Sequence, residues 1–183
     1  MNQDIGRAIV FSMPVVSAAV SLILISLDTT RSSNTVDRKI HYNMIAVYCL
    51  MILFWSGLVM HSIARDTFIA YLPVFFSSFA FIPVFLYRIT HIITDTGERK
   101  LFPACHFILP ACLTLIICAI ALAVPLRQRW AAIYDNEVNL TSAIIDITFI
   151  VCILLCILYS WLSLLRIKSY KRKIIDYSAD IYR

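Results

Sequence analysis

The sequence has few charged residues and very little glycine. Charged residues make up 15% of its 183 positions, 61% are hydrophobic, and only three residues are glycine. A water-soluble domain needs roughly a quarter charged residues to cover its surface. The composition therefore excludes a protein whose main solvent is water. The net charge of +5 does not indicate nucleic-acid binding, because the basic residues stand in short runs between apolar segments.

The short motifs of common enzyme active sites are also missing. The sequence contains no glycine-rich phosphate loop, no HExxH zinc motif and no GxSxG nucleophile elbow. All six cysteines lie inside apolar runs, where free cysteine usually packs. Cys105 with Cys112, and Cys152 with Cys156, share a helix face, but structural zinc sites favour ligands held by turns. We therefore predict packing cysteines, no metal, no cofactor and no enzymatic activity.

Long apolar runs, in contrast, fill most of the chain. A helix of about 20 residues crosses a hydrocarbon core of about 30 Å. Five runs fit this role, over residues 8–27, 42–60, 67–87, 101–125 and 143–165. The first run is long for a signal peptide and lacks a small-x-small cleavage site, so we expect it to be retained. The sequence predicts an all-α, polytopic membrane helix bundle, with a five-span membrane domain over 1–165 and a basic amphipathic C-terminal helix over 166–183.

The third span contains two prolines, Pro73 and Pro83. Proline removes a backbone hydrogen bond, and a bilayer tolerates this where neighbouring helices satisfy the freed carbonyl. We therefore predict a central position for this span. Proline is also generally commoner in membrane helices than in soluble ones, which is the alternative explanation.

The distribution of lysine and arginine predicts the orientation in the membrane. If the amino terminus is outside, the inner segments hold twelve of these residues and the outer segments hold four. The positive-inside rule then places the amino terminus outside and the tail in the cytoplasm.

Asp146 is the only acidic residue inside a predicted span, and it lies near the start of that span. Carboxylates within a membrane usually face a cavity or a partner, although Asp146 could instead reach the headgroups. Pro14, Tyr71 and Pro73 are expected at the same outer level. If a pocket for an unknown small ligand exists, we predict it among these four residues.

The tail combines basic residues with an apolar stripe. Ile167, Tyr170, Ile174, Tyr177 and Ile181 recur at spacings of three and four, which predicts an amphipathic helix. Such a helix either lies on anionic lipid or packs on a partner and transmits a signal. A simple stop-transfer cluster explains the charges but not the stripe. The residues predicted to contact lipid or transmit the signal are Arg166, Lys168, Tyr170, Lys171, Arg172, Lys173 and Tyr177.

The segment Leu165–Ser178, LRIKSYKRKIIDYS, resembles the juxtamembrane segment of membrane-anchored AraC-type transcription regulators. In that group a multi-span amino-terminal module precedes a cytoplasmic helix-turn-helix domain. The resemblance implies the sensor portion of a one-component regulator in a bacterial inner membrane. Two further spans and the DNA-binding domain would be missing, so this chain would not bind nucleic acid itself.

These observations predict a membrane sensor or signal-transducing module. An outer ligand or membrane state would shift the packing of spans three and five, and the tail would transmit the shift. A homodimer is compatible with this prediction. The rival hypothesis is a small membrane transporter or channel subunit that uses the prolines and Asp146 along a translocation path. The sequence has no detectable inverted repeat, a feature of many transporter folds.

Overall fold

A computed structural model describes residues 2–31, 34–94, 102–135 and 139–181, with side chains described over 4–30, 34–94, 102–135 and 139–175. Within these ranges the chain forms six α-helices and a short 3-10 helix, Ala104–Phe107, and no strand. The six helices are α1 (Asn2–Arg31), α2 (Thr35–Ile63), α3 (Arg65–Ile93), α4 (Ile108–Ala123), α5 (Leu126–Tyr134) and α6 (Leu140–Ile181).

Five helical segments of the described chain are long and apolar enough to cross a membrane, namely α1, α2, α3, α6 and Ala104–Ala123, in which the 3-10 helix continues into α4, whereas α5 is not. The all-helical fold predicted from the apolar runs is confirmed. By length and composition the chain is therefore a multi-pass helical membrane protein.

Helix α3 occupies the centre of the bundle, as its prolines predicted. In its most apolar 18-residue window 44% of residues are buried, against 6% in α1. It packs against α2, α4, α5 and α6, whereas α1 packs on α2. The core joins Ile69 and Val84 of α3 to Ile117 of α4 and Cys152 of α6. Because α3 contacts most of the other helices, a change in α3 can reach each of them directly.

The close approach of α2 and α3 depends on a glycine in α2. A Cβ atom at Gly57 would lie 2.6 Å from Cδ2 of Phe75 and 3.3 Å from Cε1 of Tyr71, both on α3. Beside this contact, the Tyr71 hydroxyl donates a hydrogen bond of 2.9 Å to the carbonyl of Leu53. Small residues at helix interfaces let backbones approach closely in membranes. Gly57 therefore sets the spacing of this helix pair.

The helix boundaries differ from the predicted spans in the second half of the chain. The predicted fourth span began at residue 101, but α4 begins at Ile108, after the 3-10 helix that follows Pro103. Residues 126–134, predicted as a connector, form α5. The predicted fifth span and tail are a single helix of 42 residues, α6.

The cysteines do not all pack inside the bundle, as the apolar runs had suggested. Cys152 is fully buried, and Cys118 and Cys156 are half-buried. Cys49, Cys105 and Cys112 are exposed on the outside of the helices. Position within an apolar run therefore did not distinguish a core-facing cysteine from a surface one.

Candidate functional site

A polar cleft lies at one end of the bundle, where α1 begins, α2 ends, α3 begins and α5 crosses. We call this the N-terminal end, and the opposite end, where the basic part of α6 extends, the tail end. The cleft has a volume of about 550 Å³ and is open to the surroundings. This volume lies in the range of small-molecule sites. Its lining residues, which define the N-terminal cleft below, are Asp4, Arg7, Phe11, His61, Ser62, Arg65, Ile133 and Tyr134.

Three side chains from three helices meet on one wall of the N-terminal cleft. A hydrogen bond of 2.7 Å joins Nδ1 of His61 to the hydroxyl oxygen of Tyr134. The two rings are also stacked, with centroids 5.4 Å apart. The Arg65 guanidinium lies 5.1 Å from the centroid of the Tyr134 ring, in cation–π geometry. Tyr134 therefore links the end of α2 to the start of α3.

Helix α5 also contacts α3 near its start, at Ile69, through a buried arginine. Nη1 of Arg129 donates a hydrogen bond of 3.2 Å to the carbonyl of Ile69. In a regular helix that carbonyl would accept from the N–H of residue 73, which is Pro73 and has none. Nε of Arg129 donates to the carbonyl of Val124, near the end of α4, at 3.1 Å. Arg129 is only 9% exposed, so it satisfies the proline-freed carbonyl inside the protein.

A similar arrangement occurs at the tail end. The carbonyl of His106, in the 3-10 helix, lies four residues before Pro110, which has no N–H to donate in an α-helical bond. The Tyr159 hydroxyl of α6 donates to this carbonyl at 3.2 Å and is also 3.1 Å from Nδ1 of His106. Further along α6, Nε of Arg166 donates to Oγ1 of Thr94, which follows α3, at 2.7 Å. Polar contacts thus anchor α6 to the 3-10 helix that precedes α4 and to Thr94 at the end of α3.

Aromatic rings connect the N-terminal cleft to α6 through the core. The ring centroids of His61 and Phe68 are 4.9 Å apart, and those of Phe68 and Phe75 are 5.5 Å apart. Phe79 follows at 6.5 Å from Phe75, and Phe149 of α6 at 5.8 Å from Phe79. A change at His61 therefore has a continuous path of packed rings to α6.

None of the hydrogen bonds, ion pairs or ring contacts of the described residues joins the four residues predicted to form a pocket. Asp146 is exposed on α6 and makes no hydrogen bond or ion pair with any residue that the structure describes. Pro14 lies in α1, on the far side of α2 from the α3–α6 contact. Tyr71 bonds to α2, and Pro73 frees the carbonyl that Arg129 contacts. A ligand pocket at these four residues stays a prediction.

The tail residues fall into two groups. Arg166 and Tyr170 are half-buried, and Arg166 makes the contact with Thr94. The other four described basic residues are exposed: Lys168, Lys171, Arg172 and Lys173. The apolar positions Ile167 and Ile174 are each 49% exposed. The side chain of Tyr177 lies outside the described residues.

Sequence reasoning missed Arg129 and Tyr134, because both lie in a predicted connector. A signal was nevertheless present. Leu126, Trp130 and Ile133 recur at spacings of four and three, which is typical of a helix with one apolar face. The arginine in the same segment counted only toward the orientation of the chain. That assignment ignored the need of the Pro73-freed carbonyl for a donor.

The described residues contain no group of three or more His, Cys, Asp or Glu side chains that could hold a metal ion. The fold and the cleft together define a multi-pass helical membrane protein with a polar cleft at one end of its bundle. Comparison with protein-family models, curated proteins and solved structures found no match for this chain.

We expect Tyr134→Phe to change how the free energy of unfolding depends on pH in the alkaline range. Burial raises the pKa of the Tyr134 hydroxyl above its ordinary value of 10.0, Asp66 acts in the same direction, and Arg65 opposes them. A raised folded pKa gives stability that is complete below pH 10.0 and is lost as pH rises through the folded value. At pH values below this range, loss of the hydrogen bond to His61 should lower the free energy of unfolding by about 0.5–1.5 kcal/mol. Unfolding free energies of the detergent-solubilised chain at pH 8 to pH 11 measure both effects.

Tyr48→Phe is the matched control, because Tyr48 is a half-buried tyrosine of α2 without a hydrogen bond to the described residues. Its unfolding free energy at pH 8 should match that of the parent, because no such hydrogen bond is lost. Equal pH dependence of the parent and Tyr134→Phe would contradict the role assigned to the hydroxyl.

Proposed function

We propose that this chain is a membrane sensor that transmits a change at the N-terminal cleft to the basic tail of α6. The amino terminus and the cleft would face the outside, and the tail would face the cytoplasm, as the distribution of lysine and arginine predicts. The tail would then act on anionic lipid or on a protein partner. The chain would form the sensor portion of a one-component transcription regulator of the AraC type.

The position of α5 is the observation that carries this proposal. Tyr134, at the end of α5, lines the N-terminal cleft and bonds to His61. Arg129, one and a half turns earlier, bonds to the proline-freed carbonyl of α3. A ligand that moves Tyr134 therefore moves the helix that carries Arg129. The change then acts on α3 at its proline, where the helix lacks a backbone hydrogen bond.

The contact between α3 and α6 provides the remaining step. Helix α6 packs along α3 and continues into the tail without a break. Arg166, where the basic segment begins, is bonded to Thr94 at the end of α3. Movement of α3 against α6 would therefore strain or release this bond. Such coupling requires an element with two conformations whose equilibrium is shifted by events at the N-terminal cleft and at the tail. The contact of α3 with α6 would be that element.

Hydrogen–deuterium exchange in lipid nanodiscs tests the coupling without a known ligand. We expect Tyr134→Phe to change amide exchange over residues 160–175 by about fivefold or more, the lower end of typical coupling between sites. Tyr48→Phe should leave this segment unchanged. An exchange profile altered in α5 and α2 but identical to the parent in α6 would contradict the sensor proposal, because the cleft would then be structural only.

A further inference from the structure

The described part of the N-terminal cleft is lined by two arginines and one carboxylate. Arg7 of α1 and Arg65 of α3 both line it, and neither forms an ion pair with a carboxylate among the described residues. Both guanidinium groups are close enough to act electrostatically on His61. Asp4, the lining carboxylate, is already engaged in an interaction, and Asp66 is exposed beside the cleft. The Arg65 guanidinium also lies over the Tyr134 ring, but both guanidinium groups keep N–H donors that can bind an anion.

The start of α3 lies beside the cleft and carries Arg65 and Asp66 in its first turn. The helix begins at Arg65, and its N-cap residue, Ala64, provides no side-chain hydrogen bond. The first N–H groups of a helix have no partner within the helix, and the helix dipole places partial positive charge at this end. Because α2 ends at Ile63 beside the start of α3, the partial charges of these two helix ends oppose each other, and the Arg65 guanidinium is the main attraction for an anion here.

We propose that the N-terminal cleft binds an oxyanion, a carboxylate or a phosphate, through Arg7 and Arg65. Guanidinium groups match the planar geometry of carboxylate and the charge of phosphate. The cleft volume of about 550 Å³ accommodates a small organic anion or a lipid headgroup. Only the idea that this binding acts as a signal rests on the proposed function. The inference adds the chemical class of the ligand to that proposal.

Titration calorimetry of the full chain in lipid-free dodecyl maltoside micelles tests the free-anion source. The probes are inorganic phosphate and, separately, acetate. We expect saturable binding by the parent, and affinity lower by about tenfold or more for Arg7→Gln and Arg65→Gln. Arg127→Gln removes the same charge from α5 but does not line the cleft, so its affinity should stay within about twofold.

Native mass spectrometry of the same variants tests the headgroup source. The chain is reconstituted with phosphatidylglycerol, and the retained lipid is counted for the parent, Arg65→Gln and Arg127→Gln. Lipid lost only with Arg65→Gln supports an oxyanion site for a headgroup, and anion binding lost only with Arg7→Gln and Arg65→Gln supports a site for a free anion. Binding of neither probe, or equal losses for Arg127→Gln, would overturn the proposal.

The two proposals fail separately. Anion binding that depends on Arg65 while α6 exchange is insensitive to Tyr134→Phe would retain the oxyanion site and reject the sensor. Coupling to α6 without binding of an anion or anionic lipid would retain the sensor and reject the ligand class.

Discussion

Arg129→Met is expected to destabilise the folded bundle by about 2–4 kcal/mol. The substitution keeps an apolar stem of similar length but removes both donors, so the carbonyls of Ile69 and Val124 lose their side-chain partner. Each buried polar group left without a partner costs about 1–3 kcal/mol. Reversible unfolding of the purified chain in mixed SDS micelles measures the change. Arg127→Met, at an exposed position of the same helix, should change the unfolding free energy by less than about 0.5 kcal/mol.

A double-mutant cycle with Pro73→Ala tests the cause of this effect. Alanine at position 73 supplies the N–H that proline lacks, so the Ile69 carbonyl gains a backbone donor. In that background Arg129→Met should cost less, by about 1–3 kcal/mol. If the cost of Arg129→Met is the same with Pro73 and with alanine, the arginine does not act through the proline-freed carbonyl.

Gly57→Ala is expected to destabilise the contact of α2 with α3 by about 1–3 kcal/mol, the usual cost of overpacking. The new methyl group would meet Phe75 at 2.6 Å. That ring cannot move aside easily, because Phe54 stacks on it at 5.0 Å and Phe76 packs edge-on at 5.4 Å. The thermal midpoint of the detergent-solubilised chain is the measurement.

Gly6→Ala is the control within the same chain. Nothing lies within 4 Å of a Cβ atom at Gly6, and alanine stabilises a helix by about 0.5–1 kcal/mol relative to glycine. The two alanine substitutions should therefore have opposite signs. A stabilising effect of Gly57→Ala would mean that α2 and α3 are not held as closely as the contact at Phe75 requires.

The apolar runs predicted the helices well because the length of an apolar segment can be read directly from the sequence. The prolines of α3 likewise predicted its central position, since a freed carbonyl needs a neighbour in the bundle. The identity of that neighbour was not predictable in the same way. Arg129 lies 56 positions after Pro73, and an arginine in a connector looks like an orientation signal until α5 folds back onto α3.

The proposed cleft could not be found from depth alone. Pro14, Tyr71 and Asp146 were grouped by their expected level in the membrane, but residues at one level meet only if their helices are neighbours. Helix α1, which carries Pro14, packs on α2, whereas Tyr71 and Asp146 lie on α3 and α6, which pack on each other. In the sequence, His61 and Arg65 lie in the short turn between the second and third predicted spans. A single histidine at such a position usually lies at the membrane interface. Their partner Tyr134 comes from α5, which the sequence assignment had treated as a connector.

Because α6 is one unbroken helix, the direction in which the tail side chains point depends on the number of residues between the tail and the bundle. Its 42 residues extend over about 63 Å, roughly twice the thickness of a hydrocarbon core. With the bond from Arg166 to Thr94 as a fixed reference, each residue inserted after Arg166 would turn the rest of the tail by about 100°. Seven inserted residues would return it to within about 20° of its original direction. The face that the tail presents is therefore set by the number of turns that separate it from the bundle.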